Sequence, residues 1–339
     1  MRNILHILCL FLSLTLSGQG NRERYCIDPT MKSPLNATIS TVYCSGFVQA
    51  WIELQHLHNG AIQLDSNSVL LEQLNSVVKN NSVSADFLVA RAGYIKDSII
   101  AQINTELEQK FHFTKVFGDG YNQNDIISYA YLKKQIEFYH VLQDAFNAEQ
   151  LVFNGSDTVD FFGLRYPVFN PVLKRKMIIH NYKSNDDFIL EIKTKDSKDQ
   201  VYIAKMQPES TLVASYNTII GRIGLNDTSF IEEGEKLKIP AVSFSLEKDF
   251  TELKNRQILN QGFEKYRLSE AKQIVDFSLN GKGISIEAES EVMEAFYIVQ
   301  KAQRQFVFDK PFFIILKERG KAEPYLCIYI ADAAFMKKR

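Results

Sequence analysis

The chain of 339 residues carries 39 basic and 40 acidic residues, a net charge of −1, with 45% hydrophobic and 12% aromatic content. So even a balance leaves no global field to draw the protein to nucleic acid or to an anionic membrane, and any partner has to be recognised locally. The apolar content supplies a large core and excludes wholesale disorder.

The chain opens with Met1-Arg2-Asn3, runs through an apolar stretch from Ile4 to Leu16, and then offers Gly18 and Gly20 in signal-peptidase spacing. Residues 1–20 therefore read as a cleaved secretory signal, which predicts a secreted, extracellular protein. As a membrane anchor the stretch falls short of the roughly 20 apolar residues a bilayer span needs. By length alone the remainder could form one domain or two. Four sequons, at Asn36, Asn80, Asn154 and Asn226, fit the secretory route and are candidate glycosylation sites. Removing the signal removes Cys9 and leaves Cys26, Cys44 and Cys327, an odd number for an oxidising compartment. Cys26 with Cys44 is the disulfide candidate, leaving Cys327 as a buried free thiol in the run Leu326 to Ile330.

The first half reads as helical. Phe47, Trp51 and Leu54 form one apolar stripe, Val69, Leu70, Leu74 and Val77 a second, and Ile95, Ile99, Ile103, Leu107 and Phe111 a third. Leu132, Ile136, Tyr139 and Phe146 predict a fourth helix after the turn-rich stretch from Gly118 to Asn122. From about Phe153 the pattern changes to short apolar runs and alternation: Phe188 to Ile192, Val201 to Ala204, Lys236 to Leu246, Ile274 to Leu279, Ile284 to Ala288 and Phe312 to Leu316. These read as strands. Helices first and strands later predict a segregated α+β fold, without the regular alternation of a doubly wound sheet.

Signatures of catalysis or resident metals are missing: there is no HExxH, GxSxG, Walker loop, CxxC pair or EF-hand loop. The chain is accordingly expected not to be an enzyme and to need no cofactor. His56 and His58 would clip a metal only if carboxylates converged on them, and solvent-facing histidines at a helix end are the simpler reading. Gly281-Lys282-Gly283 follows Asn280 between two alternating runs and reads as a hairpin turn.

Several segments, colinear along the chain, resemble the serpin family. Phe308-Asp309-Lys310-Pro311-Phe312-Phe313-Ile314-Ile315-Leu316-Lys317 is similar to the signature in which a Pro-Phe pair opens a buried strand just after the reactive loop. Leu326 to Ile330 resembles the paired last strand. Phe161-Phe162-Gly163-Leu164-Arg165-Tyr166-Pro167-Val168-Phe169-Asn170-Pro171 is similar to the family's FxGxWxxxFxP stretch at the upper end of the central sheet, with Arg165 in place of tryptophan. Val201 to Pro208 and Ile239 to Leu246 resemble further family strands. Ser68-Val69 aligns with the NxxISPxSI segment, Asp65 and Ser66 standing where the family has Ser-Pro, in the region that parts to admit the loop. The resemblance implies a single serpin domain over residues 42–339 after an N-terminal extension of residues 21–41, with a serpin fold of about eight or nine helices on three sheets, a monomer, and inhibition of an extracellular serine protease.

In that family a long exposed loop is cleaved by its target, and its N-terminal part then inserts as a new strand in the central sheet. Asn280-Gly281-Lys282-Gly283 resembles the hinge of that loop. After Gly283, the residues Ile284, Ile286, Ala288 and Ser290 alternate with Ser285, Glu287, Glu289 and Glu291, as an inserting strand with one apolar face requires. The same alternation fits an ordinary preformed strand. Family hinges carry threonine and alanines here, so the bulky Ile284 and Ile286 oppose insertion. The loop covers residues 283–304. Counting from Gly283 puts the scissile bond near Tyr297-Ile298, and counting back from Phe308 puts it near Gln300-Lys301. Tyr297 suits a chymotrypsin-like protease and Lys301 a trypsin-like one. The alternative is a non-inhibitory serpin serving as an extracellular binding or carrier protein, and a third reading is an unrelated secreted α+β protein.

Overall fold

A computed structural model describes residues 25–77, 85–117, 120–133, 136–144, 149–164, 175–225, 227–232, 234–284 and 304–338. Among them are four α-helices: α1, Gly46–Leu57; α2, Val69–Asn75; α3, Ile99–Phe111; and α4, Leu212–Arg222. Ser68 and Thr211 cap α2 and α4 with side chains that accept from the third residue on, satisfying backbone N–H groups that the first turn leaves open. The first apolar stripe folds as predicted, and the third from Ile99 on, α3 burying Ile99, Ile103 and Leu107, while Ile95 lies in a separate 3-10 turn, Ile95–Asp97, set off by Ser98 at φ 59°. In α2 the buried residues are Leu71 and Leu74, while Val69 stays 71% exposed.

The eight or nine helices expected are thus a correction, because much of the first half is sheet. Leu88–Tyr94 and Asp125–Leu132 are strands, and the predicted fourth helix is replaced by the end of Asp125–Leu132 and the short strands Ile136–Glu137 and Gln143–Asp144. All eight residues of Asp125–Leu132 are buried, since both faces of this strand are covered. A strand covered on both faces shows a continuous apolar run instead of alternation, and chance spacing in it mimics a helical stripe.

Three large sheets organise the chain. The largest has eight strands in the order Tyr25–Ile27, Ser40–Cys44, Leu326–Ile330, Phe312–Glu318, Asp199–Lys205, Asp187–Ile192, Met177–Ser184 and Thr228–Phe230. A four-stranded sheet runs Gln305–Val307, Lys236–Pro240, Phe161–Leu164, Gln143–Asp144. The central sheet runs Val242–Asp249, Arg267–Leu279, Asp125–Leu132, Leu88–Tyr94, with Arg256–Gln257 as a short fifth strand on Arg267–Leu279. One core cluster lies behind the central sheet, around α1; a second, on its other face, joins α3 to Val89, Ile127, Tyr129 and Tyr131.

Cys26 and Cys44 do not pair with each other, against expectation. Their strands run parallel with Cys26 opposite Thr41, so Cys44 lies three residues further along, about 10 Å away at strand rise and beyond disulfide reach. The residues set off as an extension are part of the fold, since Tyr25–Ile27 is the edge strand of the largest sheet.

Candidate functional site: a seam in the central sheet and the two legs of the loop

Within the central sheet, Asp125–Leu132 and Arg267–Leu279 are parallel neighbours, paired from Asp125 with Arg267 up to Leu132 with Val275. Both of their outer neighbours, Leu88–Tyr94 and Val242–Asp249, are antiparallel to them. The sheet therefore has a single parallel seam among the described residues, and Arg267–Leu279 continues past the end of Asp125–Leu132. Parallel pairing is slightly weaker per residue than antiparallel pairing.

On the α1 side, between the apolar pairs Ile126–Leu268 and Leu132–Val275, the middle of the seam carries small or polar side chains. Ser128 faces Ala271, and Ala130 faces Gln273. The Gln273 amide donates to the Cys44 carbonyl at 2.9 Å, just before α1 begins. Its other amide atom, Oε1, and the hydroxyls of Ser45, Ser128 and Ser269 are buried with no hydrogen-bond partner among the described residues. Buried polar groups left unpaired each cost on the order of 1–3 kcal/mol. On the other side, Tyr121 donates to Glu270 at 3.0 Å and Lys115 approaches Glu247 at 3.7 Å, tying the chain after α3 to the seam strand Arg267–Leu279 and to its outer neighbour Val242–Asp249.

Asp65, expected where the sheet parts, lies elsewhere. It is exposed, and its backbone N–H donates to Gln257 at 3.1 Å. The segment behind the seam is Cys44 to Phe47 instead. Phe161–Leu164, expected at the upper end of the central sheet, is placed in the four-stranded sheet, where a Cβ on Gly163 would lie 1.9 Å from the Leu237 carbonyl. Only glycine permits that approach. Arg165 lies outside the described residues. The seam leaves no mark in any local motif, because its partners are 142 residues apart in the chain, as the Asp125–Arg267 ion pair shows.

The proximal leg of the loop is a tight turn closed by Asn280 and Gly283, which exchange both backbone hydrogen bonds. Gly283 and Ile284 then pair with Glu137 and Ile136. The Lys282 carbonyl accepts from Phe138 at 3.1 Å and the Gly281 carbonyl from Leu142 at 2.6 Å. Gly283 has φ +132°, and a Cβ there would meet the Ile136 carbonyl at 2.1 Å. Its place in the hairpin agrees with the turn read from the sequence.

Charge and aromatic packing hold the distal leg. Arg304 donates to both carboxylate oxygens of the buried Glu235, at 2.6 and 3.0 Å, to the Ser229 hydroxyl at 2.6 Å and to the Phe230 carbonyl at 2.8 Å. Gln305–Val307 pairs parallel with Lys236–Pro240. Phe306 and Phe308 pack on Phe188 with ring centroids 5.2 and 5.0 Å away. Lys205, almost wholly buried, donates to the Val307 carbonyl at 2.8 Å and to Asp309 at 2.6 Å, and pairs with Asp186 at 2.8 Å.

Between the legs, Ile286, Ala288, Ser290, Tyr297, Ile298, Gln300 and Lys301 lie outside the described residues, as do the sequons at Asn80 and Asn226. Asn36 and Asn154 are exposed, although the Asn154 amide donates to the Ala331 carbonyl at 2.9 Å. His56 is exposed, but His58 is buried, which corrects the solvent-facing reading. No cluster of three or more metal-ligating side chains occurs among the described residues.

No protein-family model and no curated protein matches the sequence. Solved structures do match. Tengpin, a thermophilic serpin in its native state, superposes with a TM-score of 0.54 at 11% identity, covering 88% of this chain and 90% of that one. Human thyroxine-binding globulin with thyroxine bound gives 0.53 at 12%, covering 86% and 92%. The chain has the serpin fold. Uncleaved ovalbumin, at 0.52 and 12% identity over 88% of this chain and 94% of its own, is a third serpin-fold neighbour. The reading as an unrelated α+β protein is thereby set aside, and the α+β class with its three large sheets stands.

Proposed function

We propose that this protein is a secreted serpin that offers residues 283–304 as bait to an extracellular serine protease. The parallel seam carries this reading. A chain that leaves the top of Arg267–Leu279 and doubles back runs antiparallel to that strand, and so antiparallel to Asp125–Leu132 as well. A strand entering there converts one parallel pairing into two antiparallel ones and brings backbone donors and acceptors to a seam that now holds unpaired polar groups.

In the reaction, the protease's serine oxygen attacks the carbonyl of the scissile bond, between Tyr297 and Lys301. The peptide C–N bond breaks, an ester to the enzyme forms, and the new amine, having taken the serine proton, stays with the leg held by Arg304 and Lys205. The N-terminal leg, with the acyl-enzyme attached, is then free to enter the seam with Ile284, Ile286, Ala288 and Ser290 facing α1. The released chain supplies no catalytic group, and no cofactor takes part.

One observation favours the second reading, a non-inhibitory carrier: Gly283–Ile284 is already bound into a ladder with Ile136–Glu137, which has to break before the hinge moves. A neighbour of the same fold binds thyroxine.

Incubation with chymotrypsin and with trypsin, followed by denaturing electrophoresis and mass spectrometry, separates the two. The inhibitor yields a complex that survives SDS, with cleavage between Tyr297 and Lys301. Cleavage there without a complex, and without a rise in melting temperature of the cleaved protein, makes it a non-inhibitory serpin, as the carrier reading requires.

A further inference from the structure

His58 closes α1 at its C-terminal end, where the helix dipole favours a cation. Its surroundings do the opposite. His58 is 5% exposed, and neither ring nitrogen has a hydrogen-bond partner among the described residues. Phe263 meets it edge-on with centroids 4.3 Å apart, and Tyr94 lies at 6.2 Å. Tyr94 in turn contacts Tyr266 at 4.5 Å. His58 is thus the inner wall of an aromatic box under the lower end of the central sheet, where Arg267–Leu279 begins.

The ionisable groups around this box give a protonated imidazole nothing to pair with. From Leu88–Tyr94 comes the Tyr94 phenol, whose hydroxyl is buried with no hydrogen-bond partner among the described residues. From the next turn, Lys96 places its ammonium 4.9 Å from the centre of the Tyr94 ring and 2.9 Å from the Tyr266 hydroxyl, adding a like charge. From the turn of residues 260–266 come Tyr266, Lys265 over its ring, and Glu264, whose carboxylate accepts from Gly262 in its own turn. Asp97 follows Lys96, and His56 on α1 is exposed. Burial pushes the His58 imidazole down to about 4.

The outer wall of the box is lightly held. Leu259 donates to the Gln63 carbonyl at 2.8 Å, and the Asn260 side chain accepts from Gln63 at 2.8 Å and donates to Ala61 at 2.9 Å. All three bonds are to the stretch after α1, and at its base the turn is closed by the Ile258 N–H donating to the Tyr266 carbonyl at 3.0 Å, next to the pairing of Arg256–Gln257 with the start of Arg267–Leu279, so displacing the turn pulls directly on that pairing.

We propose that His58 is an acid-sensitive latch, whose protonation expels the turn of residues 260–266 and loosens the start of Arg267–Leu279. An unpaired cation is far costlier than a neutral ring in this box, and moving the turn lets water reach it. The inference rests on the box alone and holds whether or not the loop inserts.

The test is hydrogen exchange followed by mass spectrometry on the full chain between pH 6.5 and pH 4, corrected for intrinsic exchange, with wild type beside His58→Phe. Wild-type peptides covering residues 258–268 lose protection by about tenfold or more over that range, the scale of one proton-linked unit, while those of Ile328 do not. In H58F the loss disappears. Equal loss in both proteins, or none in wild type, overturns the proposal. Should H58F fail to fold, NMR titration of the His58 ring in wild type decides: a midpoint near 4 supports the latch, and one near 6.5 overturns it.

Discussion

The eight-stranded sheet and the central sheet draw on the same kinds of residue and reach opposite conditions. In the first, Asp187–Ile192, Asp199–Lys205, Phe312–Glu318 and Leu326–Ile330 pair antiparallel in unbroken register. Ile189, Ile203, Ile314 and Ile328 are wholly buried there. In the second, two parallel strands meet over serine, alanine and glutamine, with polar atoms left unpaired. The backbone ladder of these four strands is complete, so a new strand has no place to enter among them. The seam is the part of the core where the closed state is locally the less satisfied one, and it adjoins the strand from which the loop departs.

Mutations sharpen that contrast. The largest effect is expected in the eight-stranded sheet: Ile328→Ala should destabilise the protein by about 4 kcal/mol, read from the urea midpoint, because the packed strand cannot collapse on the cavity. Next comes the distal leg. Arg304→Ala strands a buried Glu235 carboxylate and should cost about 3 kcal/mol, whereas Glu235→Gln in the same background should recover part of the loss. If the recovery is absent, the guanidinium is not acting as a charge partner.

The pH profile is expected to be of similar size and independent of the loop. The unfolded His58 takes its proton near pH 6.5 and the folded one only near 4, so the unfolded state binds more protons between these values. His58 therefore contributes its stability in full above pH 6.5 and loses it as pH falls toward 4, by roughly 2–3 kcal/mol in all. Urea midpoints at several pH values, with H58F as the flat control, measure it.

At the proximal leg, Gly283→Ala should cost about 2 kcal/mol, through both the positive φ and the Ile136 carbonyl. Ser128→Ala is the smallest and has the opposite sign. Deleting a hydroxyl that has no partner should stabilise the closed sheet by up to about 1 kcal/mol, and a loss of that size instead would mean that the seam is already satisfied.

Much of the second half was legible in the sequence. Short apolar runs at Phe188 to Ile192, Val201 to Ala204 and Phe312 to Leu316 became strands within one or two residues of where they were read. The turn at Asn280 to Gly283 also formed as read, since glycine and asparagine report their own backbone needs. Less of the first half was legible. Asp125–Leu132 is covered on both faces, so it lacks the alternation by which a strand declares itself. Asp65 resembled a motif position by local spacing alone, while the segment that does lie behind the seam, around Ser45 and Gly46, bears little likeness to the motif.

By itself the sequence determined what depends on near neighbours: the α1 and α3 faces, the later strands, the turn residues, and the colinear order that resembles serpins. The tertiary structure alone decided that the seam is parallel, that Cys26 and Cys44 stand three residues out of register, and that His58 is enclosed. Each of these turns on which distant segments meet. Periodicity reports the face a segment buries, and not the partner against which it is buried.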